Sequence, residues 1–346
     1  MITLPRSLAI LFLAGSVCAS AGDRAQDFRD CTALCRQTKC DASNEPLPLA
    51  LRLTMWTCSD DCEYSCMHVA TDLAEESDTP IQQYHGKWPF WRFIGMQEPA
   101  SVLFSLLNLW AHVRGLKLIR RKIPASHPMV PFYVWWSVVN MNAWIWSAVF
   151  HTRDKQITEK LDYFSAGLAI LYGLYMAVVR LFFLYPNLDG KRLTAASHYA
   201  PSSPARRPIL RIWSIICILA YIAHISYLAF PPRFDYTYNI VFNLAIGLAH
   251  NFLWLLYALP SSLTIFRRFP SHAVGRTYRP AFASKAALFV ILTTAATTLE
   301  LFDFPPWRRT IDAHSLWHLS TAPIVQLWYK FMVQDALDDG WRMVKA

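Results

Sequence analysis

The chain has 346 residues, of which 54% are apolar, 14% aromatic and only 16% charged, and its formal net charge is +9. Soluble domains usually carry about 25% charged residues, so this composition excludes an ordinary soluble protein. Lys and Arg fall in short segments between long apolar runs, which favours membrane topology over nucleic-acid binding as the origin of the positive charge. We therefore expect no nucleic-acid partner.

The N-terminus has the pattern of a signal peptide. Arg6 precedes a short apolar stretch at residues 8–13, and small residues follow it up to the expected cleavage site near Ala21. The alternative is an uncleaved anchor helix, but the apolar core is short for a membrane span. We assign residues 1–21 to a signal peptide, which directs the chain into the secretory pathway.

A polar, cysteine-rich segment follows at residues 22–98. Six of the eight cysteines lie in it, at Cys31, Cys35, Cys40, Cys58, Cys62 and Cys66. An even number of cysteines behind a signal peptide predicts disulfide bonds in an oxidising lumen, and six cysteines allow 15 pairings among which the sequence does not choose. Zinc binding is the alternative, although paired C-x-x-C motifs are absent from the sequence.

Seven apolar runs occupy most of the remaining chain. Each is roughly 20 residues long, enough to cross about 30 Å of hydrocarbon; they are residues 100–118, 130–150, 162–184, 209–230, 237–259, 282–301 and 314–333. The predicted fold is an all-α membrane protein, with seven transmembrane helices in residues 99–335 and a small disulfide-rich luminal segment before them. Residues 336–346 form a predicted tail.

The loops between these runs alternate in charge. The first, third and fifth loops, counted with the adjoining ends of the runs, carry 14 Lys and Arg residues, whereas the second, fourth and sixth carry six. Because cytosolic loops are enriched in Lys and Arg, the first set is predicted to be cytosolic. The cysteine-rich segment is then luminal, as the signal peptide also requires, and the tail is cytosolic.

Ionisable residues at membrane depth are costly and usually functional, and two groups of them stand out. Ser147 and His151 end the second run, Asp162 opens the third, and His314 and His318 open the seventh. Residues four apart share one helix face, so Ser147 lies on the same face as His151, and His314 lies on the same face as His318. With alternating span directions, we expect the three histidines and Asp162 to lie at one depth near the luminal interface, with Ser147 one turn deeper.

Three histidines and a carboxylate at a common depth predict a zinc site with an open position for water. Zinc in such a site lowers the pKa of water and activates it as a nucleophile. We expect Asp162 to orient that water and accept its proton, and Ser147 to donate a hydrogen bond to the oxyanion of an attacked carbonyl. A metal-free Ser–His–Asp triad is the alternative, but it leaves two histidines unexplained.

An isolated histidine at a membrane interface is usually there only because its side chain is amphipathic. The metal site is therefore predicted from the three histidines together, with Ser147 and Asp162, and not from any single histidine. Other polar residues in the runs are expected to form hydrogen bonds between helices; they are Asn108, His112, His224, Asn243 and His250. Glu300 and Asp303, near the end of the sixth run, are expected to support the site or to anchor the following loop.

Two long runs resemble signature blocks of a known family. They are residues 142–164, NAWIWSAVFHTRDKQITEKLDYF, and residues 299–321, LELFDFPPWRRTIDAHSLWHLST. Both resemble the Per-like proteins, which remodel GPI anchors after their attachment to proteins, and the resemblance extends from the signal peptide through the seven runs. It implies removal of the sn-2 acyl chain from the lipid of GPI-anchored proteins, a phospholipase A2-type step in the endoplasmic reticulum of fungi or the Golgi of animals.

A wider resemblance rests on fewer residues. The CREST membrane hydrolases, which include the alkaline ceramidases, share a Ser-x-x-x-His pair, an Asp eleven residues later and a His-x-x-x-His near the last span. This sequence is similar at Ser147, His151, Asp162, His314 and His318. The resemblance implies that the three histidines hold zinc.

Our hypothesis is a zinc-dependent ester hydrolase whose site opens into the luminal leaflet, with GPI-anchored proteins as substrates among the membrane lipids. We expect it in the endoplasmic reticulum membrane, with the Golgi as the alternative. Two other functions remain open. One is a ceramidase-like amidase, because the same residues can attack an ester or an amide. The other is a non-catalytic seven-helix receptor or adaptor for GPI-anchored cargo.

Overall fold

The computed structural model describes residues 20–42, 46–185, 206–231, 234–272, 274–300 and 302–342, so nearly all of the predicted signal peptide lies outside it. Over these residues the fold is all helical, with isolated bridges but no β-strand. The α-helices are α1 (Ala21–Arg24), α2 (Gln26–Cys35), α3 (Leu49–Leu53), α4 (Cys58–Glu76), α5 (Pro99–Lys122), α6 (Val130–Thr152), α7 (Gln156–Leu181), α8 (Arg206–Ala229), α9 (Tyr236–Ala258), α10 (Ser284–Leu299) and α11 (Ala313–Ala336).

The chain divides into two compact units. The head unit comprises residues up to Glu98 together with Phe304–Asp312, and the helical unit comprises Pro99–Asp303 together with Ala313–Ala346. The apolar runs predict residues 304–312 as a loop between two spans. In the structure these residues belong to the head unit, although they are distant from it in sequence.

Three disulfide bonds join α2 and the π-helix that follows it to α4. They are Cys31–Cys66, Cys35–Cys62 and Cys40–Cys58, each with Cα atoms 5.7 Å apart. On α4 the cysteines are four residues apart, so they form a column on one face. Cys40 comes five residues after Cys35, and the wider turn of the π-helix Arg36–Asp41 keeps it in line with that column. The predicted disulfide-rich segment is confirmed, and all six sulfur atoms are used in disulfide bonds, not as zinc ligands.

Arg309 fastens the segment Phe304–Asp312 within the head unit. Its Nη2 lies 2.6 Å from a carboxylate oxygen of Asp72 and 2.7 Å from one of Glu75, both on α4. Its Nη1 lies 3.1 Å from Nδ1 of His68 on the same helix. The guanidinium is almost fully buried although both carboxylates are half exposed. This fork of hydrogen bonds therefore ties a distant segment to α4.

The helical unit contains seven long helices at the positions of the seven predicted runs. Among the described residues, five segments are long and apolar enough to cross a membrane; they are Pro99–Lys122, Gln156–Leu181, Arg207–Ala229, Tyr236–Ala258 and Ala281–Leu299. The helices α6 and α11 have 23 and 24 residues but are not among these five. The prediction is thus confirmed as a helical, multi-pass membrane protein, while seven spans stay a prediction.

Helix α7 begins earlier than the apolar run that predicted it. The run starts at residue 162, whereas the helix starts at Gln156. Thr158 explains the earlier start, because its hydroxyl accepts a hydrogen bond from the backbone N–H of Lys155 at 3.0 Å and donates to the carbonyl of Arg153 at 2.9 Å. Asp162 consequently lies in the second turn of the helix.

A buried ion pair holds the helices together at the end of the unit where α5 stops and α6 starts. Arg180 of α7 donates to both carboxylate oxygens of Asp335 on α11, at 2.6 and 2.7 Å. Tyr257 of α9 donates to the same carboxylate at 2.9 Å, and the indole N–H of Trp341 donates to the Asp335 carbonyl at 2.8 Å. Trp341 is fully buried, so part of the predicted tail packs into the helical unit.

Candidate metal centre

The second and seventh long helices bring the predicted histidines together at the opposite end of the unit. His151 occupies the last turn of α6, and His314 and His318 occupy the first two turns of α11. Nε2 of His314 lies 3.2 Å from Nε2 of His151 and 3.0 Å from Nε2 of His318. One ring nitrogen from each histidine lies within 4.8 Å of the other two. The convergence that spacing and span direction predict is therefore present.

The spacing of these nitrogen atoms suits a single metal ion. Tetrahedral zinc ligands at 2.0–2.1 Å from one ion lie roughly 3.3 Å from each other, close to the two observed separations. His151 and His318 are buried and His314 is partly exposed, so one side of the cluster remains accessible. The donor set of three imidazoles also matches catalytic zinc sites, which leave one position open.

The outer nitrogen atoms of two rings are held by neighbouring side chains. Nδ1 of His314 lies 2.8 and 3.0 Å from the two carboxylate oxygens of Glu300, at the end of α10. Nδ1 of His318 lies 2.9 Å from the hydroxyl of Ser105 on α5. A carboxylate only accepts, so His314 carries its proton on Nδ1 and, when neutral, directs the Nε2 lone pair into the cluster. Metal-binding histidines are usually held in this way.

The other two predicted site residues, Ser147 and Asp162, differ in burial. Ser147 is buried one turn before His151, and its hydroxyl lies 3.0 Å from that of Ser105. Asp162 is partly exposed in α7, directly before Tyr163. Their roles as oxyanion donor and proton acceptor stay predictions.

Sequence reasoning missed Ser105, although a signal was present. Ser101, Ser105, Asn108 and His112 recur at helical spacing along α5 and are all buried. Such a polar stripe on an otherwise apolar helix marks the face that meets other helices. Asn108 confirms this, since its amide donates to the backbone carbonyl of His318 at 2.7 Å. The stripe fixes α5 against the first turns of α11.

Aromatic rings form part of the surroundings of the cluster. The ring of Trp144, two turns before His151 and facing α11, lies 5.2 Å from that of His318 in an edge-on arrangement. Trp317 lies 5.0 Å from the same ring. Bulky apolar groups beside an imidazole lower the local dielectric and strengthen its polar interactions.

These features define a helical multi-pass membrane protein with a disulfide-bonded head and a three-histidine candidate metal centre. The chain belongs to the Per1-like family, whose model matches residues 48–336. It is 40% identical over 344 residues to "Protein PER1 homolog" of Schizosaccharomyces pombe, covering 97% of this chain and 94% of that protein. No solved structure matches the chain.

Relatives in animals are nearly as similar. The "GPI-specific phospholipase A2-like PGAP3" of Xenopus laevis is 39% identical over 334 residues, with 95% of this chain and 94% of that protein covered. The protein of the same name from Homo sapiens is 37% identical over 336 residues, with the same coverage of both chains. The family resemblance stated from the two sequence blocks is therefore confirmed.

Proposed function

We propose that this protein is a metal-dependent hydrolase that remodels GPI anchors by cleaving the sn-2 acyl ester of their lipid. The observation that carries the proposal is the convergence of three imidazole nitrogen atoms at one end of the helical unit. The names of the relatives supply the substrate, because they describe a GPI-specific, phospholipase A2-like protein.

The metal ligands in this proposal are His151, His314 and His318. Glu300 and Ser105 hold the outer nitrogen atoms of two of these rings, so Nε2 of each points to a common centre. Zinc bound there supplies a Lewis acid and lowers the pKa of water, which makes water nucleophilic at neutral pH. The donor set is compatible with other divalent metals, with imidazole favouring zinc over calcium or magnesium.

The remaining residues handle the proton and the developing charge. Asp162 accepts a proton from the attacking water, and Ser147 donates a hydrogen bond to the carbonyl oxygen as it becomes negative. Exposure of His314 on one side gives the lipid access to the buried pair. Because the substrate lies in the membrane, the acyl chain approaches from the bilayer and the headgroup stays in water.

The proposal includes a location. With seven spans and a luminal head, the three-histidine end of the helical unit faces the lumen, so the proposed site acts on lipid in the luminal leaflet. We propose the endoplasmic reticulum membrane, with the Golgi membrane as the alternative. The partners are GPI-anchored proteins as substrates and the surrounding lipids.

The decisive experiment replaces one ligand and one unrelated histidine. Cells lacking the protein receive wild type, His314→Ala or His272→Ala, and the GPI lipids are analysed by mass spectrometry. His272 is an exposed histidine outside the cluster, so its variant controls for loss of an imidazole. We expect His314→Ala to leave the sn-2 chain in place while reaching wild-type abundance. Normal remodelling by His314→Ala would favour the non-catalytic adaptor.

A second measurement separates an esterase from an amidase. The purified protein is supplied with Zn²⁺ and offered a GPI glycerolipid or a ceramide in the same detergent. Release of fatty acid from the ester substrate alone supports the proposal. Release from ceramide alone contradicts the ester assignment and supports the ceramidase-like alternative.

A further inference from the structure

Ser105 lies on α5, outside the predicted site, and yet its hydroxyl contacts two residues of that site. Its Oγ lies 2.9 Å from Nδ1 of His318 and 3.0 Å from Oγ of Ser147. The same atom lies 2.7 Å from the backbone carbonyl oxygen of Ser101, one turn earlier. Ser105 is fully buried, so these three contacts converge on an oxygen atom that bulk water does not reach.

The donors and acceptors in this group follow from their chemistry. The Ser101 carbonyl only accepts, so the contact with it uses the single hydroxyl hydrogen of Ser105. The lone pairs of Ser105 then accept from the hydroxyl of Ser147 and from Nδ1–H of His318. With the proton on Nδ1, neutral His318 has its lone pair on Nε2, and that atom lies 3.0 Å from Nε2 of His314.

We propose that Ser105 is a positioning residue for the metal centre. It holds His318 in the tautomer that can bind a metal through Nε2, and it sets the direction of the Ser147 hydroxyl. This inference rests on the proposed metal-dependent function and extends it to a residue on a separate helix. In this arrangement the hydroxyl of Ser147 donates to Ser105 when no substrate is bound. It must therefore rotate before it can donate to a substrate oxygen.

A matched pair of variants on one helix tests the proposal. Ser105→Ala and Ser101→Ala each remove one buried hydroxyl from the same face of α5. The Ser101 hydroxyl has no hydrogen-bond partner among the described residues, and its backbone carbonyl is kept in the variant. We expect Ser105→Ala to lower Zn²⁺ affinity roughly 10- to 100-fold, the usual loss when the support of a ligand is removed, and Ser101→Ala to leave it unchanged.

The measurement is Zn²⁺ retention by the purified full-length protein against increasing chelator, read by elemental analysis. A third variant, Ser147→Ala, separates the two roles, because it leaves the contact between Ser105 and His318 in place. It is expected to keep wild-type Zn²⁺ affinity and to lose GPI-lipid remodelling. A comparison of Ser105→Thr with Ser105→Val, which have similar shapes, controls for packing: only the variant with a hydroxyl should retain the metal.

The outcomes of these measurements distinguish the positioning role of Ser105 from the proposed metal-dependent function. Equal Zn²⁺ affinity of wild type and Ser105→Ala overturns the positioning role and leaves the hydrolase proposal standing. Equal losses in Ser105→Ala and Ser101→Ala, or in the Thr and Val variants, also overturn it, because they indicate a packing effect. A wild-type protein that binds no divalent metal refutes the proposed metal-dependent function itself.

Discussion

The carboxylate of Glu300, at the end of α10, accepts the Nδ1–H of His314 at 2.8 Å. Its side chain is 45% exposed, so water weakens the interaction. We expect Glu300→Gln, which can still accept this bond, to reduce Zn²⁺ affinity less than Glu300→Ala does, with a loss for Ala near the lower end of the usual 10- to 100-fold range.

Chelator competition on the purified variants measures this order. Thr297→Ala is the matched control, because Thr297 is an exposed residue on the same turn of α10 whose hydroxyl bonds to its own helix at 2.9 Å. Unchanged affinity in Glu300→Ala would show that Glu300 does not support the metal.

The buried His68 of the head unit is expected to make the stability of the fold depend on pH. Its Nε2–H donates to the carbonyl of Phe90 at 3.2 Å, and its Nδ1 accepts from Arg309 at 3.1 Å. Burial, with a further contribution from the charge of Arg309, lowers the pKa of His68 to about 4. As the pH falls, His68 binds a proton near pH 6.5 in the unfolded chain, whereas in the folded head it binds one only at a lower pH. Stability is therefore fully present above about pH 6.5 and falls as the pH drops toward 4.

Thermal unfolding of the purified protein between about pH 7 and pH 4.5 tests this dependence. His68→Gln removes the titrating group but keeps a donor and an acceptor, so we expect a lower melting temperature at neutral pH and a weaker decline with acid. The exposed His272→Gln should decline as wild type does. An unchanged decline in His68→Gln would assign the pH dependence to other groups, among which His85 acts in the opposite direction because the hydrogen bond that it donates to Glu63 raises its pKa.

At the scale of elements, Arg309 is expected to control the segment Phe304–Asp312. Arg309→Ala removes its hydrogen bonds to α4, at a cost of about 1–3 kcal/mol, and raises the open population of the segment roughly 5- to 150-fold. Limited proteolysis measures that population when opening is fast relative to cleavage. Arg308→Ala is the control, since the neighbouring Arg308 is exposed and stacks on Trp307. Equal cleavage of both variants would exclude an anchoring role.

The disulfide column of α2 and α4 gives a prediction about connectivity. Mass mapping of non-reduced peptides should recover Cys31–Cys66, Cys35–Cys62 and Cys40–Cys58, while Cys217 reacts with an alkylating reagent after denaturation. The antiparallel helix pair requires this order, because the cysteines of the two helices meet in reverse sequence. A link between Cys40 and Cys62, whose sulfur atoms lie 3.9 Å apart, is the nearest alternative and would contradict it.

For the whole molecule, the number of spans decides on which side of the membrane the loops lie. In a Cys217→Ala background, single cysteines at the exposed positions Ser126 and Gln156 flank α6. If α6 crosses the membrane, Ser126→Cys reacts with an impermeant thiol reagent from the cytosol and Gln156→Cys reacts only after the lumen is opened. Labelling of both from one side would reduce the count below seven.

Local patterns in the sequence accounted for much of this protein. Apolar runs of membrane length predicted the seven long helices, because a helix that crosses the hydrocarbon needs about 20 predominantly apolar residues. Spacing of four residues predicted that Ser147 and His151, and likewise His314 and His318, share a helix face. Each of these inferences uses residues a few positions apart, where backbone geometry alone sets the arrangement.

Tertiary structure decided the contacts between distant residues. Ser105 meets His318 across 213 positions and His151 meets His314 across 163; span direction predicted the second meeting, but nothing in the sequence named Ser105 as a partner. The sequence also left the pairing of the six cysteines open, and the packing of α2 and the π-helix against α4 decides it. Arg309 joined the head unit through carboxylates more than 230 positions earlier. Such contacts depend on how helices pack in three dimensions, which periodicity along one chain does not specify.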